Sequence, residues 1–189
     1  MLEETNRLTQ LVDSLLAMSR AEAGRISLQI ASVPLLHFCS EVAGLLEVMA
    51  EEKEQTLTVE GDSTVFVNGD RTILRQAIVK LIDNAVKFSP RGGKIRIRVS
   101  VSGPNALLEV HDDGPGITAE HQQRVFERFY RVEKARTRGE GGAGLGLSIS
   151  QWAIALHGGT VDLVSEPGHG STFRIWLPQL TPANTNDIT

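Results

Sequence analysis

Ile73-Leu-Arg-Gln-Ala-Ile-Val-Lys80-Leu-Ile-Asp-Asn84-Ala-Val-Lys87-Phe88 is the stretch from which the rest of the chain can be read. Leu74, Ala77, Ile78, Leu81, Ile82 and Ala85 recur at spacings of three and four, so the segment is predicted to be a helix with one buried face. Lys80, Asn84, Lys87 and Phe88 follow the same spacing and form a second stripe. An amide and two ammonium groups in line suit a metal-bound polyphosphate. A solvated helix face that happens to carry lysines fits the same stripe, and taken alone that reading is the stronger.

The flanks support the helix. Asn68-Gly69 is a turn, Asp70 is placed to cap the helix, and Ser89-Pro90 ends it. Downstream, Arg91-Gly92-Gly93 leads into an alternating run, Lys94 to Ser102. Gly103-Pro104-Asn105 then turns back into Ala106 to His111, which makes a hairpin. Thr118 can cap a short helix ahead of Phe126-Glu127-Arg128-Phe129-Tyr130-Arg131, and Val132 to Glu140 has no apolar period. Gly144 to Leu156 is predicted to be a helix. Val161 to Val164 and Thr172 to Leu177 are predicted strands, with a polar tail from Pro178.

Upstream, Leu57 with Val59, and Val65 to Val67, are short predicted strands. Pro34 opens a predicted helix running to about Glu54, whose apolar face includes Leu35, Phe38, Val42, Leu45, Leu46 and Met49 and whose Glu51-Glu52-Lys53-Glu54 end is solvated. Arg25 to Val33 alternates like a strand. Residues 2–22 carry an apolar stripe, Leu8, Leu11, Leu15 and Met18, that needs a partner helix. These elements predict an α+β fold: an α/β sandwich in which helices cover one face of a mixed sheet, preceded by an N-terminal bundle or coiled-coil helix. The expected divisions are 1–23, 24–180 and a tail over 181–189.

Composition narrows the function. A net charge of −4 argues against a general nucleic-acid binder, and a single cysteine, Cys39, excludes an internal disulfide framework. No apolar run approaches the roughly 20 residues that span a bilayer, so the chain is expected to be a soluble piece.

Two glycine-rich segments add chemistry. Asp113-Gly114-Pro115-Gly116 follows a strand, where glycines admit close approach and an aspartate can accept from an exocyclic amine; a plain turn is the alternative. Gly139 to Gly146 holds five glycines ahead of a helix start, a place where free backbone N–H groups attract phosphate; simple flexibility is the alternative. Gly139, Gly141 and Gly144 match the dinucleotide spacing, but Lys134 to Arg138 precedes them where a buried strand is required, so that reading is rejected.

Taken in order, Asp83-Asn84-Ala85-Val86-Lys87-Phe88, Asp113-Gly114-Pro115-Gly116, Phe126-Glu127-Arg128-Phe129-Tyr130, Gly142-Ala143-Gly144-Leu145-Gly146-Leu147 and Gly168-His169-Gly170-Ser171-Thr172-Phe173 resemble the nucleotide-binding boxes of bacterial two-component sensor histidine kinases. Glu3 to Gly24 is similar to the second helix of that family's dimerisation and phosphotransfer hairpin, and the resemblance spans roughly residues 2–178. It implies a Bergerat-type ATP site that uses ATP and Mg²⁺. Asn84 would be the metal ligand, Lys87 a phosphate contact and Phe88 a wall of the adenine pocket. Asp113 would take the adenine amino group, with Gly114, Gly116 and Ile117 beside it. Arg128 and Arg131 would reach the γ-phosphate. Gly142, Gly144, Leu145, Gly146 and Leu147 would form the lid, and Thr172 would close the base pocket. The implied partners are the protein's own hairpin in a homodimer and a response-regulator receiver domain, with no nucleic acid. The implied location is the cytoplasmic portion of a parent anchored in the inner or cell membrane.

Two departures stand out. The family's phosphate-accepting histidine lies on the first hairpin helix, and none of His37, His111, His121, His157 and His169 precedes residues 2–22. The chain is therefore expected to be a C-terminal piece that cannot phosphorylate itself in cis. His111, His121, His157 and His169 are expected at boundary or surface positions. Second, the family carries an asparagine four residues before Asn84, where this chain has Lys80. Contact with phosphate, repulsion of Mg²⁺ and a solvent-facing side chain all remain open for it.

Overall fold

The computed structural model describes residues 27–132 and 143–180. In chain order the elements are β1 (Ala31–Pro34), α1 (Leu35–Gly44), α2 (Glu47–Glu52), β2 (Thr56–Gly61), β3 (Phe66–Gly69), α3 (Arg71–Phe88), β4 (Lys94–Ser102) and β5 (Asn105–Asp112). Then follow α4 (Ala119–Gln122), a 3₁₀ turn (Arg124–Phe126), α5 (Gly146–Leu156), β6 (Thr160–Ser165) and β7 (Ser171–Pro178). The N-terminal helix of the first expected division and the 181–189 tail lie outside the described residues.

Five strands form a mixed sheet in the order β2-β4-β5-β7-β6, parallel at β2–β4 and antiparallel elsewhere. β1 and β3 make a separate antiparallel ribbon. Strict alternation along β4, β5 and β7 puts Ile95, Ile97, Val99, Ala106, Leu108, Val110, Phe173 and Ile175 on one face, all buried. That face packs under Leu74, Ile78, Leu81 and Ile82 of α3, Phe38 and Val42 of α1 and Ile154 of α5 in a single core.

The other face is open, and its charges are ordered. Glu60, Arg98, Glu109, Arg174 and Asp162 are cross-strand neighbours and alternate in sign across all five strands. Arg174 closes the row with bidentate bonds of 2.9 and 2.7 Å to Asp162. A face so charged stays in water, so a ligand site built on this fold belongs on the helix-covered side.

The predicted 34–54 helix is two helices. After Gly44, the Leu45 and Leu46 N–H groups bond back three residues, at 3.2 Å to Val42 and 2.9 Å to Ala43, which tightens the last turn and ends α1. Leu45, Val48 and Met49 are consequently exposed, so the sequence periodicity counted Leu45 and Met49 as core wrongly. Of the predicted 25–33 strand, the described part begins at residue 27, and among the described residues only the stretch from Ala31 pairs, as β1 with β3.

Candidate functional site

Helices α3 and α5 cross antiparallel, and their contacts fix the site from both ends. At the start of α3, Asp70 Oδ1 accepts the Thr72 and Ile73 N–H groups at 2.9 and 3.2 Å, as predicted for a cap. Its Oδ2 accepts the Gln29 N–H at 2.9 Å. The Asp70 N–H donates to His157 Nε2 at 3.0 Å, while His157 Nδ1 donates to the Ala153 carbonyl at 2.6 Å, so the ring is neutral with its proton on Nδ1. His157 is buried, where a boundary or surface position was expected: it joins the end of α5 to the start of α3. Midway, Ser150 Oγ donates to the Ala77 carbonyl at 3.0 Å. At the other end a methyl group added to Gly146 would lie 3.9 Å from Lys80 Cβ and Cδ and 4.0 Å from Asn84 Nδ2. The glycine that opens α5 therefore faces the polar stripe of α3.

The end of α3 is held by side chains from the α2–β2 connection. Lys53 Nζ donates to the Val86 and Lys87 carbonyls at 3.1 and 2.9 Å, and Gln55 Nε2 to the Val86 and Ser89 carbonyls at 3.0 and 2.9 Å. The sequence reading had placed Lys53 in a solvated helix end. Carbonyls that would otherwise be orphaned at a helix terminus recruit it instead. Phe88 follows, 50% exposed, on a cavity of about 570 Å³ that is also lined by Lys53, Lys87, Arg91, Asp113, Gly114, Pro115 and Gly168. An aromatic ring so exposed beside a cavity is a platform for a flat ligand.

At the strand ends, alternation separates neighbours. Asp112 continues the inward set Ala106, Leu108, Val110 and is 4% exposed; its register partner Ser171 is 5% exposed. Asp112 Oδ1 accepts the Gly114 N–H at 2.8 Å, and Ser171 Oγ lies 3.0 Å from Ser165 Oγ. Burial pushes the Asp112 carboxyl up from 3.8 to about 6, against the pull of backbone N–H groups from Gly114 and Ser171. Asp113 and Thr172 fall on the other side. Asp113 Oδ2 accepts the Lys94 N–H at 2.8 Å and Oδ1 lies 3.5 Å from His111 Nε2, while Thr172 Oγ1 bonds His111 Nδ1 at 2.9 Å. The structure thus sets the two residues expected at the base, Asp113 and Thr172, at the rim of the Phe88 cavity and on the open face respectively. It gives the covered face to Asp112 and Ser171, which the sequence reading did not select. The signal was present, since extending the Ala106-Leu108-Val110 alternation by two residues selects Asp112.

The other expected residues divide. Gly116 packs against the Glu166 carbonyl, and the Ile117 N–H donates to Ser165 Oγ at 2.8 Å, so both join the Asp112 loop to the β6–β7 turn. Gly144, at φ +73°, accepts the Phe129 N–H on its carbonyl at 2.9 Å, and an added Cβ would come within 2.8 Å of Phe129 backbone; no residue but glycine fits there. Leu145 is buried with Ile149, and Leu147 packs on the main core, so both anchor the start of α5 rather than line the stripe. Lys87 Nζ is bonded to Asp83 Oδ2 at 2.6 Å. Arg128 lines a second groove with Ser148, Gln151 and Trp152 on the side of α5 away from Asn84; Arg131 is half-buried beyond Tyr130. Gly142 lies outside the described residues.

Asn84 and Lys80 are half-buried, and among the described residues neither side chain has a hydrogen bond or ion pair. Mg²⁺ takes oxygen ligands and keeps most of its shell as water and phosphate oxygens, so one free amide oxygen at Asn84 fits such an ion when it is carried on a polyphosphate. No cluster of three or more His, Cys, Asp or Glu able to hold a metal occurs among the described residues.

The arrangement has relatives. The family of histidine kinase-, DNA gyrase B- and HSP90-like ATPases matches residues 69–181, more than half of the chain. The chain belongs to this ATPase family. Its catalytic-domain core is the α3–β7 region just described. Sensor-like histidine kinase SenX3 of Mycobacterium tuberculosis is 39% identical over 184 residues, covering 97% of this chain and 45% of that protein. Sensor protein SrrB of Staphylococcus aureus is 35% identical over 178 residues, 94% of this chain and 30% of that protein. Among solved structures, full-length ShkA in complex with AMPPNP matches with a TM-score of 0.83 at 30% identity, over 95% of this chain and 37% of that one. The Acinetobacter baumannii histidine kinase AdeS matches at 0.79 and 26%, over 95% and 82%. The chain spans about half the length, or less, of the curated relatives it matches. This is a histidine-kinase ATPase domain of the expected α+β class, and no helix among its described residues is long and apolar enough to cross a membrane.

Proposed function

We propose that this domain binds ATP between α3 and α5 and passes its γ-phosphoryl group to a histidine on a dimerisation hairpin, for relay to a response-regulator aspartate. The observation that carries the proposal is the meeting of Asn84 with Gly146, which sets an unpaired amide against the glycine-rich start of a helix. That helix start offers unbonded N–H groups to phosphate oxygens. Asp112 accepts the adenine 6-amino N–H from the covered end of β5, with Ser171 beside it, in place of Asp113 and Thr172. Phe88 supplies the flat contact to the base, and Gly114 lets the loop close on Asp112. Lys87, held by Asp83, presents its ammonium near the phosphates. Asn84 would hold Mg²⁺, which would supply neutralisation of phosphate charge when bound. Arg131 approaches the γ-phosphate, with the Gly142–Gly144 segment as the lid, while Arg128 stays in the groove on the far side of α5. The domain's own residues therefore act by positioning the nucleotide and balancing its charge.

The acceptor histidine belongs to a hairpin helix preceding residues 2–22, supplied by the same protein as a homodimer, in a parent whose anchor holds this domain on the cytoplasmic side of the membrane. The relatives named as sensor kinases, SenX3 and SrrB, support that reading. The test is to add the hairpin of the parent protein, in trans or on the same chain, with radiolabelled ATP. Acid-labile, base-stable label on the hairpin is expected; label that never leaves ATP refutes the transfer.

A further inference from the structure

We infer that Lys80 is a phosphate-binding residue that makes nucleotide binding by this domain largely independent of Mg²⁺. The inference rests on the nucleotide-site reading above and concerns the one stripe position where the sequence left three roles open. Lys80 stands one turn before Asn84 on α3, and the two residues share the surface facing Gly146 at the start of α5. Lys80 is half-buried, and its Cβ and Cδ would lie 3.9 Å from a Cβ built on that glycine, so its stem runs beside the start of α5.

The neighbouring cations have settled partners. Lys87 is on Asp83 at 2.6 Å, Lys53 is on the Val86 and Lys87 carbonyls at 3.1 and 2.9 Å, and Arg71 and Arg75 are on Glu41 at 2.8 and 3.2 Å. Lys80 has no such partner among the described residues. Glycine at 146 leaves room above it, and α5 has no acidic residue in its first turn to neutralise it. A cation beside the start of α5 with no counterion among the described residues recognises an anion, and a di- or triphosphate chain is the anion that the proposed nucleotide site supplies. The same charge acts on the metal. A dication at Asn84 would lie a helical turn from a fixed positive charge, so Lys80 lowers the affinity for Mg²⁺ while replacing its electrostatic effect on the phosphates. Asn84 alone fits the ion; Asn84 beside Lys80 fits the phosphates without it.

The experiment is calorimetric titration of the full chain with ADP and with a non-hydrolysable ATP analogue, in excess Mg²⁺ and in EDTA, for wild type, Lys80→Asn, Lys80→Gln and Lys80→Arg. The wild type and Lys80→Arg are expected to change affinity by no more than about threefold on removal of Mg²⁺. Lys80→Asn and Lys80→Gln are expected to lose about tenfold or more in EDTA and to recover in Mg²⁺, the range of one charge-assisted contact. In EDTA, wild-type affinity is also expected to fall more steeply with salt than that of Lys80→Asn. Equal Mg²⁺ dependence in wild type and Lys80→Asn overturns the inference and leaves the nucleotide site standing. Absence of binding by wild type in both conditions overturns the site itself.

Discussion

Replacing Asp112 by asparagine should stabilise the folded domain at neutral pH while weakening adenine nucleotide binding. The carboxylate is 4% exposed at the inner end of β5, and burial raises its pKa from 3.8 to about 6. A folded-state pKa above the unfolded one means that the native state holds a proton the unfolded chain has released. Below about pH 4 both states are protonated and the residue is neutral toward folding. Between about 4 and 6 stability falls as pH rises, and above about 6 the full penalty, about 3 kcal/mol, is present. Asparagine escapes that penalty and can still accept the Gly114 N–H at 2.8 Å, but it has no second oxygen for the Ser171 N–H, a loss of about 1 kcal/mol. Asp112→Asn should therefore be more stable than wild type by about 2 kcal/mol at pH 7.5 and less stable by about 1 kcal/mol at pH 4. Urea unfolding at the two pH values reads this directly. A difference of the same sign and size at both would refute the buried-carboxylate reasoning. In the same samples ADP affinity should fall about 30-fold at neutral pH, because an amide N–H now opposes the adenine N–H. Asp113→Asn should leave affinity within about twofold: Asp113 lines the Phe88 cavity, but its carboxylate is engaged by the Lys94 N–H and lies beside His111. If Asp113→Asn were the damaging change, the reassignment across the strand would be wrong.

Three further outcomes follow from the same geometry. His157→Phe removes the acceptor of the buried Asp70 N–H and should cost about 1–3 kcal/mol in urea unfolding, with ADP affinity unchanged because the site lies at the far end of α3. Gly144→Ala forces a Cβ to 2.8 Å from Phe129 backbone at φ +73° and should lower the melting temperature, whereas Gly146→Ala, whose Cβ finds Lys80 at an ordinary 3.9 Å, should leave it nearly unchanged and lower nucleotide affinity instead. Hydrogen exchange with and without saturating ADP should show protection gained over 84–88 and 144–150 and little change over 70–78, whose amides are already bonded in the core of α3; uniform protection along the helix would contradict a site confined to one end.

Much of this was readable from residue order because it depends on local periodicity. The α3 core face, its Asp70 cap and the β4–β5 hairpin all follow from spacing, and each occurs as expected. What escaped depends on contacts between distant segments. The break after Gly44 reflects which leucines the sheet can cover; Leu46 is buried and Leu45 is not, though both fit a helical stripe. The inward role of His157 depends on α5 ending beside Asp70, 87 residues earlier. The proposed exchange of Asp112 for Asp113 and Ser171 for Thr172 differs in kind. Both pairs sit where a strand meets a glycine turn, the motif draws attention to its second member, and a one-residue error there changes the face of the sheet. Alternation counted from the strand interior selects Asp112 and Ser171 together, and their register pairing makes the two proposed reassignments one.

Helix α3 is satisfied at one end and unsatisfied at the other, and that asymmetry locates the site without appeal to any motif. At its start the buried capping groups are paired: Asp70 accepts from Thr72, Ile73 and Gln29, and its own N–H donates to His157. Toward its end the exceptions accumulate within two turns. Asn84 and Lys80 have no partner among the described residues, and Phe88 stands 50% exposed. Beside them lie Asp112, a carboxyl held at a raised pKa, and Phe129, a non-glycine residue at φ 65°. Each is a feature that folding alone would select against: an unpaired polar head, an exposed ring, a buried charge, a left-handed backbone. Such features are ordinarily scattered and rare, and their concentration around one helix end is explained when a ligand supplies what the protein lacks: an amine for Asp112, a flat ring for Phe88 and phosphate oxygens for Lys80. Removing those features should make a more stable domain that binds nucleotide less well.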